Sequence, residues 1–254
     1  MRRHEGKVAL CAGSATGMGA ETALRLGREG AKVVIGDVNL AGAQKIIDQL
    51  KSEGGEGLAA QFDIAEPDSV KAMIDQVVAH YGRLDLMHVN ATDRKRNNED
   101  FDVVSTDLEV FDRIHTVSLR GHLLCTRFAV PQMLKTGGGA IVYTSSDAGK
   151  TAAPEKMSYY IAKAGLNGLM RHVATRWGKE GIRANCVCPG LIMTDAVMIN
   201  TKAEFRRQAL ERVPSSRLGT MQDIAAMVSF LLSEDAAWVN GQAYSVDGGS
   251  VMHG

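Results

Sequence analysis

Short apolar runs rich in β-branched residues alternate along this chain with longer segments whose apolar positions recur at helical spacing. A strand buried on both faces reads as a continuous apolar run, and a helix packed on one side reads as a stripe at i, i+3, i+4 and i+7. The alternation therefore predicts a parallel sheet covered by helices. Residues 8–12 form the first run, followed by a glycine-rich turn and a helix through Ala20, Ala23, Leu24 and Gly27. Residues 33–37 make a second strand, a helix over 40–53 stops at Gly54-Gly55, and a third strand runs to Phe62. Pro67-Asp68-Ser69 opens a helix reaching His80, and residues 84–90 give strand four. Residues 107–135 read as mostly helical, with Pro131 expected to kink or end the regular part. After Gly137-Gly138-Gly139 come a strand over 140–145, a helix over 157–179, a strand over 182–188, a helix over 223–232 and a last short strand over 242–246. That is one domain, 1–254, with seven strands and no repeat or linker. The weakly patterned stretch from Leu191 to about Val213 interrupts the rhythm, as lids and binding loops do in compact domains.

Composition narrows the function more than the fold. In 254 residues, 29 Lys+Arg balance 29 Asp+Glu, which leaves no general attraction to phosphate backbones or anionic lipid; nucleic-acid and membrane-surface partners are not expected. No apolar run approaches the ~18 residues of a membrane span, and the run after Met1-Arg2-Arg3-His4-Glu5-Gly6-Lys7 is too short for a signal core, so the expected location is the cytoplasm. Cys11, Cys125, Cys186 and Cys188 are scattered and read as buried free thiols. Cys186 and Cys188, one residue apart, are expected to fall on opposite faces of their strand, and no metal site is expected.

Chemistry is concentrated in two places. Gly13-Ser14-Ala15-Thr16-Gly17-Met18-Gly19 lies between a strand and a helix, where glycines let the backbone approach a pyrophosphate whose charge the helix N-terminus favours. A tight turn needing positive φ gives the same pattern. Asp37, twenty positions after Gly17 at the end of the next strand, suits a carboxylate that binds ribose hydroxyls. It would repel a 2′-phosphate, and Ser14, Ala15 and Thr16 offer no cation to hold one, which favours NAD; a plain turn or capping aspartate is the alternative.

The second place is Tyr159-Tyr160-Ile161-Ala162-Lys163, with Ser146 thirteen positions before Tyr159 at a strand end. A Tyr and a Lys four apart share a helix face, so the ammonium favours phenolate and makes the phenol a usable acid and base near neutrality. A serine hydroxyl alongside can bond the substrate oxygen. Tyr-x-x-x-Lys alone also arises in any amphipathic helix; its company with the glycine turn and Asp37 favours the catalytic reading.

Taken together, the chain resembles the short-chain dehydrogenase/reductase family over essentially its whole length. The motifs are Gly13-x-x-x-Gly17-x-Gly19, Asp63, Gly82-Arg83-Leu84-Asp85 leading to Asn90-Ala91, Ser146, Tyr159 with Lys163, Asn185-x-x-x-Pro189-Gly190-x-x-x-Thr194, and Gly241-Gln242 with Asp247-Gly248-Gly249. The resemblance implies a doubly wound Rossmann-type α/β fold with strand order 3-2-1-4-5-6-7. It implies Tyr159 as acid/base, Ser146 orienting the substrate oxygen, and Lys163 holding the nicotinamide ribose while tuning Tyr159. Asp63 and its neighbour Ile64 would lie at adenine, Asn90 and Ala91 at the adenosine ribose, and Pro189, Gly190, Ile192 and Thr194 at the carboxamide. Tyr159 is preferred to Tyr160 because only it has Lys at plus four. The usual assembly is a homotetramer with the helices of 107–135 and 157–179 in one interface.

Three positions depart from the family pattern. Ala12 replaces a threonine, Val89-Asn90-Ala91-Thr92 replaces Asn-Asn-Ala-Gly, and Ser118 stands where many relatives carry the asparagine of a catalytic tetrad. Ser118 keeps a proton relay if its backbone carbonyl is the essential contact. His88, His115, His122 and His172 read as structural, and Asp93-Arg94-Lys95-Arg96 as a solvated loop. Ile192, Met193, Val197, Met198 and Ile199 suggest an apolar substrate wall. The leading expectation is an NAD-dependent enzyme interconverting a secondary alcohol and a ketone, the substrate apolar or cyclic. An NADPH-dependent reductase of 3-oxoacyl chains or small ketones and a catalytically weak dinucleotide-binding regulator are the alternatives.

Overall fold

The computed structural model describes residues 2–93 and 95–252. Seven strands form one all-parallel sheet: β1 (Val8–Ala12), β2 (Lys32–Asp37), β3 (Glu56–Gln61), β4 (Leu86–Val89), β5 (Gly139–Thr144), β6 (Ile182–Pro189) and β7 (Ala243–Val246), in the order β3-β2-β1-β4-β5-β6-β7. That is the order the family resemblance implies. Alternate residues of β1 serve opposite faces: Val8, Leu10 and Ala12 join one apolar cluster, Ala9 and Cys11 the other. One cluster packs under α3 (Pro67–Tyr81), α5 (Gly121–Lys135) and α6 (Met157–Trp177); the other under α1 (Gly17–Arg28), α2 (Leu40–Ser52) and α9 (Met221–Leu232). With helices on both faces the five inner strands are almost wholly buried, which is why they read as apolar runs, while the edge strands β3 and β7 are only partly buried. The chain leaves β1 toward β2 on one side and returns to place β4 on the other. A crevice opens at their C-terminal ends, where ligands bind in such sheets.

Three expectations need correction. Of the kink or end expected at Pro131, the end does not occur: Pro131 lies inside α5. Arg127, whose carbonyl loses its partner, is exposed, so water can take that bond. The regular helix is interrupted earlier instead, by a π turn over Thr116–Arg120 that joins α4 (Leu108–His115) to α5 and buries Val117 and Ser118. Second, Cys186 and Cys188 do not split across the sheet: both enter the α5/α6 cluster, while Val187 enters the other. Side chains alternate along a strand, so residues two apart share a face. All four cysteines are free and buried, and burial holds the Cys186 and Cys188 thiols above their ordinary range, against the thiolate a metal needs. Third, the stretch after Leu191 contains α7 (Asp195–Asn200) and α8 (Ala203–Glu211), neither with a buried residue. An apolar stripe is missing because ion pairs of Arg207 with Glu204 and Glu211, both 2.7 Å, brace α8 along its own surface. Among the described residues no helix is long and apolar enough to cross a membrane.

Candidate active site

The turn after β1 is closed by backbone and by its neighbours. Gly13 has φ 73°, and a Cβ there would stand 2.5 Å from Ala91 Cα; at Gly19 it would stand 2.5 Å from Ser14 Oγ and 2.9 Å from Asn90 Nδ2. Glycine at both positions lets the turn lie flat against the chain leaving β4. Asn90 Nδ2 donates to Gly13 O at 3.0 Å and the Asn90 amide to Ala12 O at 2.9 Å, a tie made without the family's threonine at Ala12. Asp37 accepts from Ala15 N and Asn39 N, both at 2.9 Å, so its carboxylate bridges the turn and the end of β2. Thr16 caps α1 without a side-chain bond, no acid lies in the first turn, and Met18 follows Gly17 inside it. The first amides of α1 are thus left without a capping side chain or a carboxylate from their own turn, as an anion site requires. Ser14 Oγ and Asn90 Oδ1 are buried without a partner among the described residues. A cradle that side chains would fill and orphaned polar atoms fit a dinucleotide.

Asp63, just past β3, accepts from Ala65 N at 2.9 Å, and Ile64 is buried against Gly121 at the start of α5. Next to Ala91, Thr92 Oγ1 lies 3.2 Å from Ser118 Oγ, so two of the departures from the family pattern meet each other. Ser118 is fully buried in the π turn, a wide-turn irregularity of the kind found at functional sites.

The end of β5 and the first two turns of α6 are joined by serine. Ser145 Oγ donates to Lys163 O at 3.0 Å, which brings the strand end beside the Tyr159/Lys163 face, and Ser146 Oγ accepts from Ala148 N at 3.1 Å as it caps the short turn Asp147–Gly149. Lys163 is 2% exposed; its Nζ donates to Thr144 O at 2.8 Å and lies 5.6 Å from the Tyr159 ring centroid. Burial lowers its pKa from 10.5 to about 8, so the ammonium remains the main form at neutrality but is close to its titration.

Across the crevice, Gly190 N bonds Val246 O at 3.2 Å, Ile192 bridges to Gly219, and Thr194 caps α7 by accepting from Val197 N at 3.3 Å. Of the suggested apolar wall, Ile192 is drawn into the core, Met193 and Val197 are half-buried, and Met198 and Ile199 are exposed. Thus Gly13 to Gly19, Asp37, Asp63, Asn90, Ala91, Ser118, Ser146, Tyr159, Lys163 and Pro189 to Thr194 all sit at or past the C-terminal ends of the strands or on the helical segments that follow them, Asp37 and Pro189 being the last residues of β2 and β6. His88 and His122 are fully buried; His88 Nε2 pairs with Thr144 Oγ1 at 2.8 Å, and burial lowers both pKa values to about 3, keeping the rings neutral.

Two acids escaped the sequence reading. Asp147, next to Ser146, has its pKa pushed up to about 7 by burial and by Asp247 beside it, with Lys150 opposing. Asp100 is 2% exposed and bonds the start of α6. Neither lies at a motif spacing that would flag it. In the segment read as a solvated loop, Asp93 instead pairs with Arg113 at 3.1 Å, and Arg94 lies outside the described residues.

Comparison with known proteins agrees with this geometry. A sequence profile of the family described as enoyl-(acyl carrier protein) reductase matches residues 12–251. A probable short-chain type dehydrogenase/reductase of Bradyrhizobium diazoefficiens is 38% identical over 253 residues, covering 100% of this chain and 90% of that protein. The 7alpha-hydroxysteroid dehydrogenase of Bacteroides fragilis is 35% identical over 253 residues, covering 100% and 97%. Among solved structures, a 7 alpha-hydroxysteroid dehydrogenase complexed with NADH and 7-oxo glycochenodeoxycholic acid superposes with TM-score 0.93 at 31% identity, covering 99% of this chain and 96% of that one.

Proposed function

The chain belongs to the short-chain dehydrogenase/reductase family, and from that premise we propose that it is an NAD-dependent oxidoreductase interconverting a secondary alcohol and a ketone, with an apolar or cyclic substrate. The observation that carries the chemistry is the buried Lys163 ammonium beside the Tyr159 ring, at a strand end where Ser145, the neighbour of Ser146, bonds the Lys163 carbonyl. A phenol and a serine hydroxyl are donors suited to a reacting oxygen, which favours a carbonyl or alcohol over a carbon–carbon double bond. Relatives named for hydroxysteroids support a cyclic, apolar substrate.

In this reading Ser146 Oγ orients the substrate oxygen and Tyr159 exchanges a proton with it, as acid in reduction and as base in oxidation. Lys163 favours the phenolate through its charge, which the 2.8 Å bond to Thr144 O keeps in place. Ser118 spends its hydroxyl on Thr92, so its part in a proton relay falls to its backbone carbonyl. When bound, NAD would supply the hydride acceptor for alcohol oxidation and NADH the hydride donor for ketone reduction. Gly13, Ser14, Thr16, Gly17, Met18 and Gly19 would hold the pyrophosphate; Asp37, Asn90 and Ala91 the adenosine ribose; Asp63 and Ile64 the adenine. Tyr159 and Lys163 would hold the second ribose, and Pro189, Gly190, Ile192 and Thr194 the carboxamide. The same reading includes a cytoplasmic homotetramer built on α4–α5 and α6, where Leu123 and Ile161 are exposed.

Asp37 without a neighbouring cation in the glycine turn supports NAD over NADP. Thermal unfolding with each of NAD, NADH, NADP and NADPH tests this. At a hundredfold excess over Kd a native-state ligand adds about 2.7 kcal/mol, or roughly 5–10 °C for a chain this size. Stabilisation by NAD and NADH alone is expected; preference for the phosphorylated pair would overturn the assignment of Asp37.

A further inference from the structure

We propose that Asp100 is a positioning residue for Tyr159: its buried carboxylate clamps the first turn of α6 and so fixes where the phenol stands and how readily it ionises. The proposal rests on Tyr159 as the acid/base. Asp100 Oδ1 accepts from Ser158 N at 3.1 Å and Ser158 Oγ at 2.8 Å, and Oδ2 accepts from Tyr159 N at 2.9 Å. The backbone continues the clamp, with Lys156 N bonded to Asp100 O at 3.2 Å and Met157 N to Phe101 O at 3.1 Å. Four consecutive amides at the start of the catalytic helix therefore end on two residues of the segment that follows β4. The helix has no side-chain cap of its own, and its entry residue Lys156 has φ 64°, the one positive φ outside glycine among the described residues. That left-handed backbone is costly for lysine and stands because the surrounding bonds hold it.

Asp100 is 2% exposed, and among the described residues no cation pairs with its carboxylate. A buried carboxylate in that position is stabilised by amide donors and by the positive end of the helix. Its charge acts on the phenol against Lys163: Asp100 disfavours phenolate and Lys163 favours it. The other charged groups on the neighbouring elements are engaged elsewhere. Glu99 pairs with Arg96, Asp93 with Arg113, Asp102 is tied to Ser105 and the Val104 amide, and Asp147 faces Asp247 and Lys150. Lys156 stands at the helix entry, and Ser118 and Ser146 are neutral.

The test compares Asp100→Asn and Asp100→Ala with the parent and with Tyr159→Phe. Readouts are kcat and KM across pH, and ultraviolet titration of the Tyr159 phenol in the cofactor-free protein, isolated by difference from the Tyr159→Phe background. Removing the negative charge favours phenolate, so in Asp100→Asn the phenol titration and the matching limb of the kcat profile should move to lower pH by roughly half to one unit. Asp100→Ala should lower kcat about tenfold or more with KM for the cofactor little changed, and Asn, whose one carbonyl oxygen can accept from Ser158 but whose NH2 cannot accept from Tyr159 N, should recover part of that loss. Unchanged phenol titration in folded Asp100→Asn, or Asn no better than Ala in kcat, would overturn the proposal. If Asp100→Ala fails to fold, the Asp100→Asn titration decides. A Tyr159→Phe protein with full activity would instead bring down the acid/base reading.

Discussion

Replacing Lys163 with methionine separates the cost of burying its ammonium from the role proposed for it beside Tyr159. The side chain is 2% exposed and its pKa falls from 10.5 to about 8 because burial disfavours the charged form. In the unfolded chain the lysine stays protonated up to its ordinary value, so between those limits the unfolded state binds more protons than the native one. Stability from this group therefore rises with pH through that window: the penalty is fully present below about pH 8 and gone above 10.5. At about 1.4 kcal/mol per pH unit, the shift corresponds to about 3 kcal/mol. Methionine removes the penalty but leaves the Thr144 carbonyl unpartnered, which costs roughly 1–3 kcal/mol. The net change near neutrality is thus small, while the pH dependence is distinctive. Urea unfolding of parent and Lys163→Met, both in a Tyr159→Phe background, across the range from pH 7.5 to about 10.5 is the assay, because the phenol that senses Lys163 is then absent and the other groups titrating there cancel in the difference. The parent should gain about 3 kcal/mol relative to the variant over that range. A flat difference would refute the claim that burial strains this ammonium. Turnover in Lys163→Met with Tyr159 intact should be lost whatever its stability, the trade expected where a functional group sits in an unfavourable environment.

Asp147→Asn tests a second titration of opposite sign. The raised pKa of Asp147, caused first by burial and then by Asp247, means that its native form holds a proton the unfolded form has released between about pH 4 and 7. Stability from the carboxyl is therefore lost as pH rises to about 7, and the asparagine variant should gain on the parent through that window; a constant difference contradicts the pairing. Gly13→Ala forces φ 73° on an alanine and drives its Cβ to 2.5 Å from Ala91 Cα. A loss of about 2–4 kcal/mol in urea unfolding, with weakened nucleotide binding, is expected, and a loss below about 1 kcal/mol argues against the close approach. Ser118→Asn overfills a buried site where the serine hydroxyl lies 3.2 Å from Thr92 Oγ1. It should cost about 1–3 kcal/mol, recovered in part by Thr92→Gly. Turnover should change little, and a large rise with folding and nucleotide binding intact would mean that serine impairs the relay.

Legibility in the sequence followed the range of the interactions. The inner strands read directly because helices on both faces force apolar runs, and the glycine turn and the Tyr159/Lys163 pair read because their partners lie within a few positions. The order of the sheet came from family resemblance, not from periodicity. Pro131 drew attention to the wrong place: the interruption falls at the π turn, whose widening leaves no residue type as a marker. The helix α8 escaped because charge pairs on its own surface, rather than an apolar face, support it. The two strand cysteines were assigned by faulty parity, since residues two apart share a face. Asp100 and Asp247 act on groups about sixty and a hundred residues away, at Tyr159 and Asp147, so no local spacing announces either contact.

The proposed chemistry turns on Tyr159, tuned by Lys163, exchanging a proton with a substrate oxygen during hydride transfer. The most direct measurement is NADH formation from a panel of hydroxysteroids and cyclic secondary alcohols, by the parent and by Tyr159→Phe, with nucleotide binding checked in both. Turnover by the parent on at least one such alcohol is expected, with a loss of at least about a hundredfold in the variant and binding retained. Equal turnover by a folded, nucleotide-binding Tyr159→Phe protein would contradict it.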